Sequence, residues 1–206
     1  MRIGSFSSIS THALPRIIGS FKADYPGIDF EILHGTYSDI ETWLHEGRVD
    51  LGFLVDPVDA KFESRFFFRD KIVAVLPEHF DGPTDCPLPL SEFERHPFIM
   101  IEEGDGNRFR SYFRAYGIRP RIDYSVREDA VAVAMVESGL GISLDYELSL
   151  LRAPYRVVTT DLEHPAYREI RIAWNRRRKP SPIVRTFLDF ATDDGKPHQT
   201  LSEDTR

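Results

Sequence analysis

Cysteine is nearly absent from this chain. The one thiol, Cys86, lies in Asp85-Cys86-Pro87 and has no partner for an internal disulfide. That excludes a disulfide scaffold and any zinc site built on cysteine pairs, and it fits a reducing compartment. Long apolar runs are missing too. Nowhere do about 18 consecutive apolar residues occur, the length a membrane helix needs. The stretch Met1-Arg2-Ile3-Gly4-Ser5-Phe6-Ser7-Ser8 lacks the apolar core and small-residue cleavage site of a secretory leader. A cytoplasmic chain, or a piece cut from a larger protein, is the expectation. Basic residues are in deficit, 26 against 33 acidic ones for a formal charge of -7. Such a chain does not grip a polyanion by itself, so nucleic acid, if involved, is bound elsewhere.

Catalytic and cofactor signatures are missing as well. There is no G-x-S-x-G and no H-E-x-x-H, and the histidines occur singly, so no activated nucleophile or acid-base pair can be named. Glu102-Glu103-Gly104-Asp105-Gly106-Asn107 is acidic but lacks the spacing and the terminal glutamate of a calcium loop. Gly139-Leu140-Gly141 ends a helix and opens a strand, the reverse of a dinucleotide fingerprint. The expectation is a binding protein with no cofactor and no metal, and not an enzyme.

What the 206 residues do contain is a core, since 41% are hydrophobic. Leu14, Ile17, Ile18 and Phe21 have helical spacing up to Tyr25-Pro26-Gly27, and Ile28, Phe30 and Ile32 alternate like a strand. Ser38 and Glu41 have capping-box spacing, with Ile40, Trp43 and Leu44 as the apolar face and Gly47 as terminator. Val49 to Val55 reads as the next strand. The order β-α-β-α-β over residues 2–55 predicts a parallel sheet with helices on its faces.

The same order returns as strand 98–101, helix 107–116, strand 122–126, helix 128–137 and strand 140–144. Phe109, Tyr112, Phe113 and Tyr116 stripe the first of those helices. Ala130, Ala134 and Met135 with Val131 stripe the second, and the aromatics of the first are expected in the core. A β-rich run, 65–76, joins the halves. Strands 155–160 and 167–174 and a helix from Ser181 follow the second half. The chain therefore predicts two Rossmann-like α/β lobes joined by two crossing strands. Residues 1–73 form lobe I, 74–153 form lobe II, 154–192 return to lobe I and 193–206 are a flexible tail.

Ligands of open α/β sheets lie beyond the carboxyl ends of the strands, where helix N-termini offer N–H groups. That rule selects Ser7 and Ser8, with Ser10 or Thr11 left to cap the helix. It also selects Thr36 and Tyr37, then Asp56, in the first half. In the second it selects Glu102, Glu103 and Gly104, then Arg127, and Ser143. Converging helix N-termini and a clamp from Arg127 favour a small carboxylate or other anion. Inward-facing Glu102, Glu103 or Asp56 would instead prefer an amine or hydroxyls, so an amino acid or hydroxy acid fits as well as an aromatic acid. His12 reads as structural, and Arg176-Arg177-Arg178-Lys179 reads as a solvated edge.

Four ordered stretches carry a resemblance. They are Arg2-Ile3-Gly4-Ser5-Phe6-Ser7-Ser8 with Ala13-Leu14-Pro15; Phe21-Lys22-Ala23-Asp24-Tyr25-Pro26; Glu46-Gly47-Arg48-Val49-Asp50-Leu51-Gly52-Phe53; and Met135-Val136-Glu137-Ser138-Gly139-Leu140-Gly141-Ile142-Ser143. Together they resemble the effector-binding domain of LysR-type transcriptional regulators over residues 2 to about 190. The resemblance implies a periplasmic-binding-protein-like (type 2) clamshell with an inducer cleft between the lobes. The implied contacts are Ser7, Ser8, Thr36, the residues around Glu102 to Gly104, and Arg127.

It also implies a winged helix-turn-helix of about 90 residues ahead of this domain. Met1 directly before Arg2-Ile3 then reads as an artificial start, and DNA is reached only through that missing part. Homo-oligomers would form by head-to-tail lobe pairing, the helix of Leu14 to Phe21 meeting the second lobe of another chain. A transport-type solute-binding protein of the same architecture is the alternative reading.

Overall fold

The computed structural model describes residues 1–102 and 107–192, so Glu103, Gly104 and the tail 193–206 lie outside the described residues. The chain divides into two compact units, Met1–Asp70 with the chain from Arg168 on, and Lys71–Tyr167.

The first unit is built around β1 (Arg2–Ser5), which is parallel to β2 (Glu31–His34) on one side and β3 (Leu51–Val55) on the other. α1 (Leu14–Asp24) and α2 (Tyr37–Glu46) make the two crossovers. The strand ladder of β2 starts at Glu31 rather than Ile28, because Phe30 packs on Phe21 and Phe187 (6.1 and 5.6 Å between ring centroids). β3 is followed by β4 (Phe62–Pro77), whose residues up to Asp70 belong to this unit. β9 (Ala166–Asn175) pairs antiparallel with β3, and α7 (Pro182–Thr192) lays Phe187 and Phe190 against Phe21 of α1. Gly47 closes α2 in the left-handed conformation at φ 76°, which a side chain would resist.

The second unit repeats the plan. β5 (Phe98–Ile101) lies parallel between β6 (Ile122–Val126) and β7 (Ile142–Tyr146), with α4 (Arg108–Ala115) and α5 (Asp129–Glu137) as crossovers. The last part of β4 runs antiparallel to β7 and, on its other side, to β8 (Val157–Thr160). Short helices α3 (Glu92–Arg95) and α6 (Glu147–Leu150) complete it. Strand β7 begins two residues later than its apolar run. Gly141 sits at φ 157° with its Cα against the Pro97 carbonyl, and a Cβ there would fall 2.3 Å from that oxygen.

Two expectations are corrected. The return to the first unit comes at Arg168 rather than at 154, because β8 hydrogen-bonds to Ala74–Pro77 of β4 and so stays in the second unit. The stripe of α5 is also reversed. Ala132, Val133 and Val136 are buried, while Ala130 and Val131 are exposed and Ala134 and Met135 are only half-buried. The helix is apolar all round, so periodicity cannot choose its inner face. On α4 the aromatic stripe is core at Phe109, Tyr112 and Phe113, but Tyr116 is exposed and stacks on His164 at 4.3 Å.

Candidate functional site

In the first unit the sequence-predicted residues gather at the carboxyl ends of β1 and β2. The helix after β1 starts at Ser7, earlier than expected: Ser10 N–H donates to Phe6 C=O (2.9 Å), and the turn continues through a π-helical segment, Ile9–Ala13, into α1. Neither Ser10 nor Thr11 caps it. Ser7 is exposed, its hydroxyl 3.1 Å from His34 Nε2 at the end of β2. Ser8 is buried, and its Oγ accepts a hydrogen bond from Arg168 Nη2 at 2.8 Å.

The cap of α2 is Thr36 with Asp39, not Ser38 with Glu41. Thr36 Oγ1 accepts from Asp39 N (3.2 Å) and donates to Asp39 Oδ2 (2.7 Å), which also accepts from Thr36 N. Those hydrogen bonds from Thr36 hold the Asp39 carboxyl below the usual carboxylate range. The helix N-terminus thus carries its own carboxylate, and the Thr36 hydroxyl is engaged in the cap. Tyr37 follows it, with its hydroxyl accepting from Arg168 Nη1 at 3.0 Å and its ring edge-on to Phe6 at 5.0 Å. Asp56 ends β3 in an ion pair with Arg171 (3.2 Å).

Two residues that no motif announces organise this corner. Arg168 and Asp70 are 3% and 1% exposed. Asp70 Oδ2 accepts from Arg168 Nε (2.9 Å) and Nη2 (2.5 Å), while the guanidinium carbon lies 5.1 Å over the Phe6 ring. A signal existed. In Tyr167-Arg168-Glu169-Ile170-Arg171-Ile172, two-residue alternation puts Arg168 on the face of Ile170 and Ile172, and a charge on a buried face requires a buried counter-charge.

The second unit arranges its candidates differently. Glu102, just after β5, forms an ion pair with Arg110 of α4 and accepts from Ser125 Oγ at 3.4 Å. The Arg110 hydrogen bond lowers the Glu102 carboxyl from its ordinary value. Asn107 caps α4, accepting from Arg110 N (3.0 Å) and donating to Ile101 C=O (2.7 Å). Arg127 stands exposed between β6 and α5. Ser143 does not reach a surface: it is fully buried in β7 and donates to Ile99 C=O at 2.8 Å, as expected of a strand hydroxyl facing a neighbouring backbone.

Among the described residues no group of three or more His, Cys, Asp or Glu is arranged to hold a metal ion. No described helix is long and apolar enough to cross a membrane.

The family model for the LysR substrate binding domain matches residues 1–196. The uncharacterized HTH-type transcriptional regulator YvbU of Bacillus subtilis (strain 168) is 26% identical over 195 residues, covering 94% of this chain and 66% of its own length. The probable HTH-type transcriptional regulator LrrA of Synechococcus elongatus is 30% identical over 190 residues, covering 92% of this chain and 64% of its own. This chain therefore spans about two thirds of the length of the curated relatives it matches. Among solved structures, the effector binding domain of QuiR in complex with shikimate superposes with a TM-score of 0.85 at 24% identity, over 96% of this chain and 97% of that one. The relatives are named as transcriptional regulators, not as enzymes or transport components. This chain belongs to the LysR substrate binding domain family and has its periplasmic-binding-protein-like α/β fold.

Proposed function

We propose that this chain is the effector-sensing part of a cytoplasmic LysR-type transcriptional regulator that recognises a small carboxylate and does not transform it. The observation that carries the reading is the corner of Ser8 and Tyr37 in the first unit, whose hydroxyls meet on a buried guanidinium at the strand ends, next to exposed Ser7 with its hydroxyl on His34. The shikimate carried by QuiR's domain, itself a hydroxylated carboxylate, supports that ligand chemistry. Thr36 contributes by fixing the start of α2, and Asp56, Glu102, Glu103, Gly104 and Arg127 are further proposed contacts. Ser143 is not among them, because its hydroxyl is buried and bonded to backbone. Nothing favours the transport reading over relatives named as regulators.

Regulation then follows from linkage: an effector with different affinity for two arrangements of the protein shifts their populations, and an attached DNA reader responds to that shift. DNA contact is assigned to that reader, not to this chain. The reading includes a homo-oligomer. On the second unit, Val131, Met135, Leu140 and Tyr155 border an apolar groove of about 380 Å³ along α5, a surface suited to α1 of a second copy in head-to-tail pairing.

Thermal unfolding against small carboxylates, amino acids and sugars tests the reading. A ligand at 100 times its Kd adds about 2.7 kcal/mol, a shift of several degrees. A saturable shift with a carboxylate, lost when exposed Ser7 is replaced by tryptophan, is the expected result. A shift only with sugars, or one indifferent to Ser7→Trp, contradicts it.

A further inference from the structure

The proposed effector corner contains a feature that dictates what it can bind. A guanidinium has five N–H donors and no acceptor, and it stays charged at any pH a protein experiences. Each N–H of Arg168 that reaches a hydroxyl therefore makes that hydroxyl an acceptor on that side. Arg168 Nη2 does so to Ser8 at 2.8 Å and Nη1 to Tyr37 at 3.0 Å, so both O–H protons must point to something other than Arg168.

The guanidinium is also held against swinging away. Two of its nitrogens are bonded to Asp70 Oδ2 at 2.9 and 2.5 Å, its face lies over Phe6, and Phe6 in turn meets the edge of Tyr37. Ser8 is 4% exposed, and among the described residues its proton has no acceptor. Two residues on, Ser10 Oγ is likewise buried with no hydrogen-bond partner among the described residues. Buried hydroxyls left incomplete in this way call for an explanation, and a ligand atom that accepts is one.

We propose that Arg168, held by Asp70, is the specificity-determining residue of this corner, turning the Ser8 and Tyr37 hydroxyls into donors so that the corner takes an oxyanion and rejects an ammonium group. This rests on the reading of the corner as the effector site. Asp70 neutralises Arg168, so the preference does not come from net charge. It comes from the fixed direction of the hydroxyl protons: a carboxylate oxygen accepts them in charge-assisted hydrogen bonds, whereas an ammonium brings only further donors. Without Arg168 each hydroxyl would be able to turn and either donate or accept, and the preference would fall.

The test titrates the 206-residue chain with benzoate, succinate and shikimate, and with benzylamine and 1,4-diaminobutane, reading Kd from thermal shifts. It repeats this for Asp70→Leu/Arg168→Met, which removes the pair without leaving a buried charge unmatched, and for Arg168→Lys, whose single ammonium replaces the two-armed fork. The wild-type chain is expected to bind at least one carboxylate and neither amine. Both variants are expected to weaken that carboxylate about tenfold or more, the scale of one hydrogen bond to a charged group. Should one variant fail to fold, the other carries the comparison.

Wild-type affinity retained in a folded variant would reduce Arg168 to a structural role while leaving the effector site standing. Preference of the wild-type chain for an amine would overturn the donor assignment alone. No shift with any probe would overturn the proposal together with the effector reading of the corner.

Discussion

In both units a central strand lies parallel between two others and an antiparallel strand follows on one side, in the orders β2-β1-β3-β9 and β6-β5-β7-β4. The polar residues at the strand ends are nevertheless handled in opposite ways. The first unit draws a charged pair into its interior, with Arg168 and Asp70 almost fully buried and hydrogen-bonded to the groups around them. The second leaves its pair, Glu102 and Arg110, at the surface with side chains 34% and 43% exposed. A buried, hydrogen-bonded pair is rigid and costly to break, whereas an exposed pair is screened by water and contributes little. One topology thus supports a preorganised polar corner in one unit and an adaptable rim in the other.

Four substitutions would break or sharpen that contrast. The largest effect is expected from Arg168→Met, which strands the Asp70 carboxylate in the interior and should cost about 3–5 kcal/mol in denaturant unfolding. Thr36→Ala removes the α2 cap at the edge of the same corner and should cost about 1 kcal/mol. Because the folded Asp39 carboxyl is held low, its stabilising contribution is present above the ordinary carboxylate range and fades as pH falls through the folded value. The Thr36→Ala deficit should shrink in acid accordingly.

In the second unit Tyr112 is buried and donates to His164 C=O at 2.9 Å. Burial, helped by Tyr116 and Glu163, pushes its phenol up to about 12. The unfolded phenol ionises near pH 10 and the folded one does not, so stability should fall as pH rises from about 10 to 12. Unfolding scans across that range should show a smaller loss for Tyr112→Phe. The smallest effect is expected from Glu102→Gln, under about 1 kcal/mol. Equal losses for Arg168→Met and Glu102→Gln would abolish the distinction between the units.

Much of the architecture was legible because it is periodic. Strands 98–101, an apolar run, and 122–126, an alternating one, have the bounds their patterns predict, and the two-unit plan follows from the repeated alternation of strand and helix. Boundaries went astray where a single contact overrides the pattern: Phe30 leaves the β2 ladder for the aromatic cluster, and Gly141 delays β7. The inner face of α5 was illegible because Ala130 to Val136 is apolar throughout. Position along the strands is enough to single out Ser8 and Tyr37, which the structure brings together on Arg168. Their neighbour Arg168 was not named, since its partner Asp70 lies 98 residues away in sequence and only a folded sheet brings them together. Ser143 shows the converse limit: a serine at a strand end reads as a ligand contact, but a neighbouring carbonyl, Ile99 C=O, has claimed its proton.

The central claim is that the Arg168–Asp70 pair acts as one internal unit that holds the polar corner together. A double-mutant cycle in denaturant unfolding, comparing Arg168→Met, Asp70→Leu and the two combined, tests it most directly. The account predicts that either single change destabilises strongly and that the second largely restores what the first removed. Losses that simply add would contradict it, because the two side chains would then be making independent contributions.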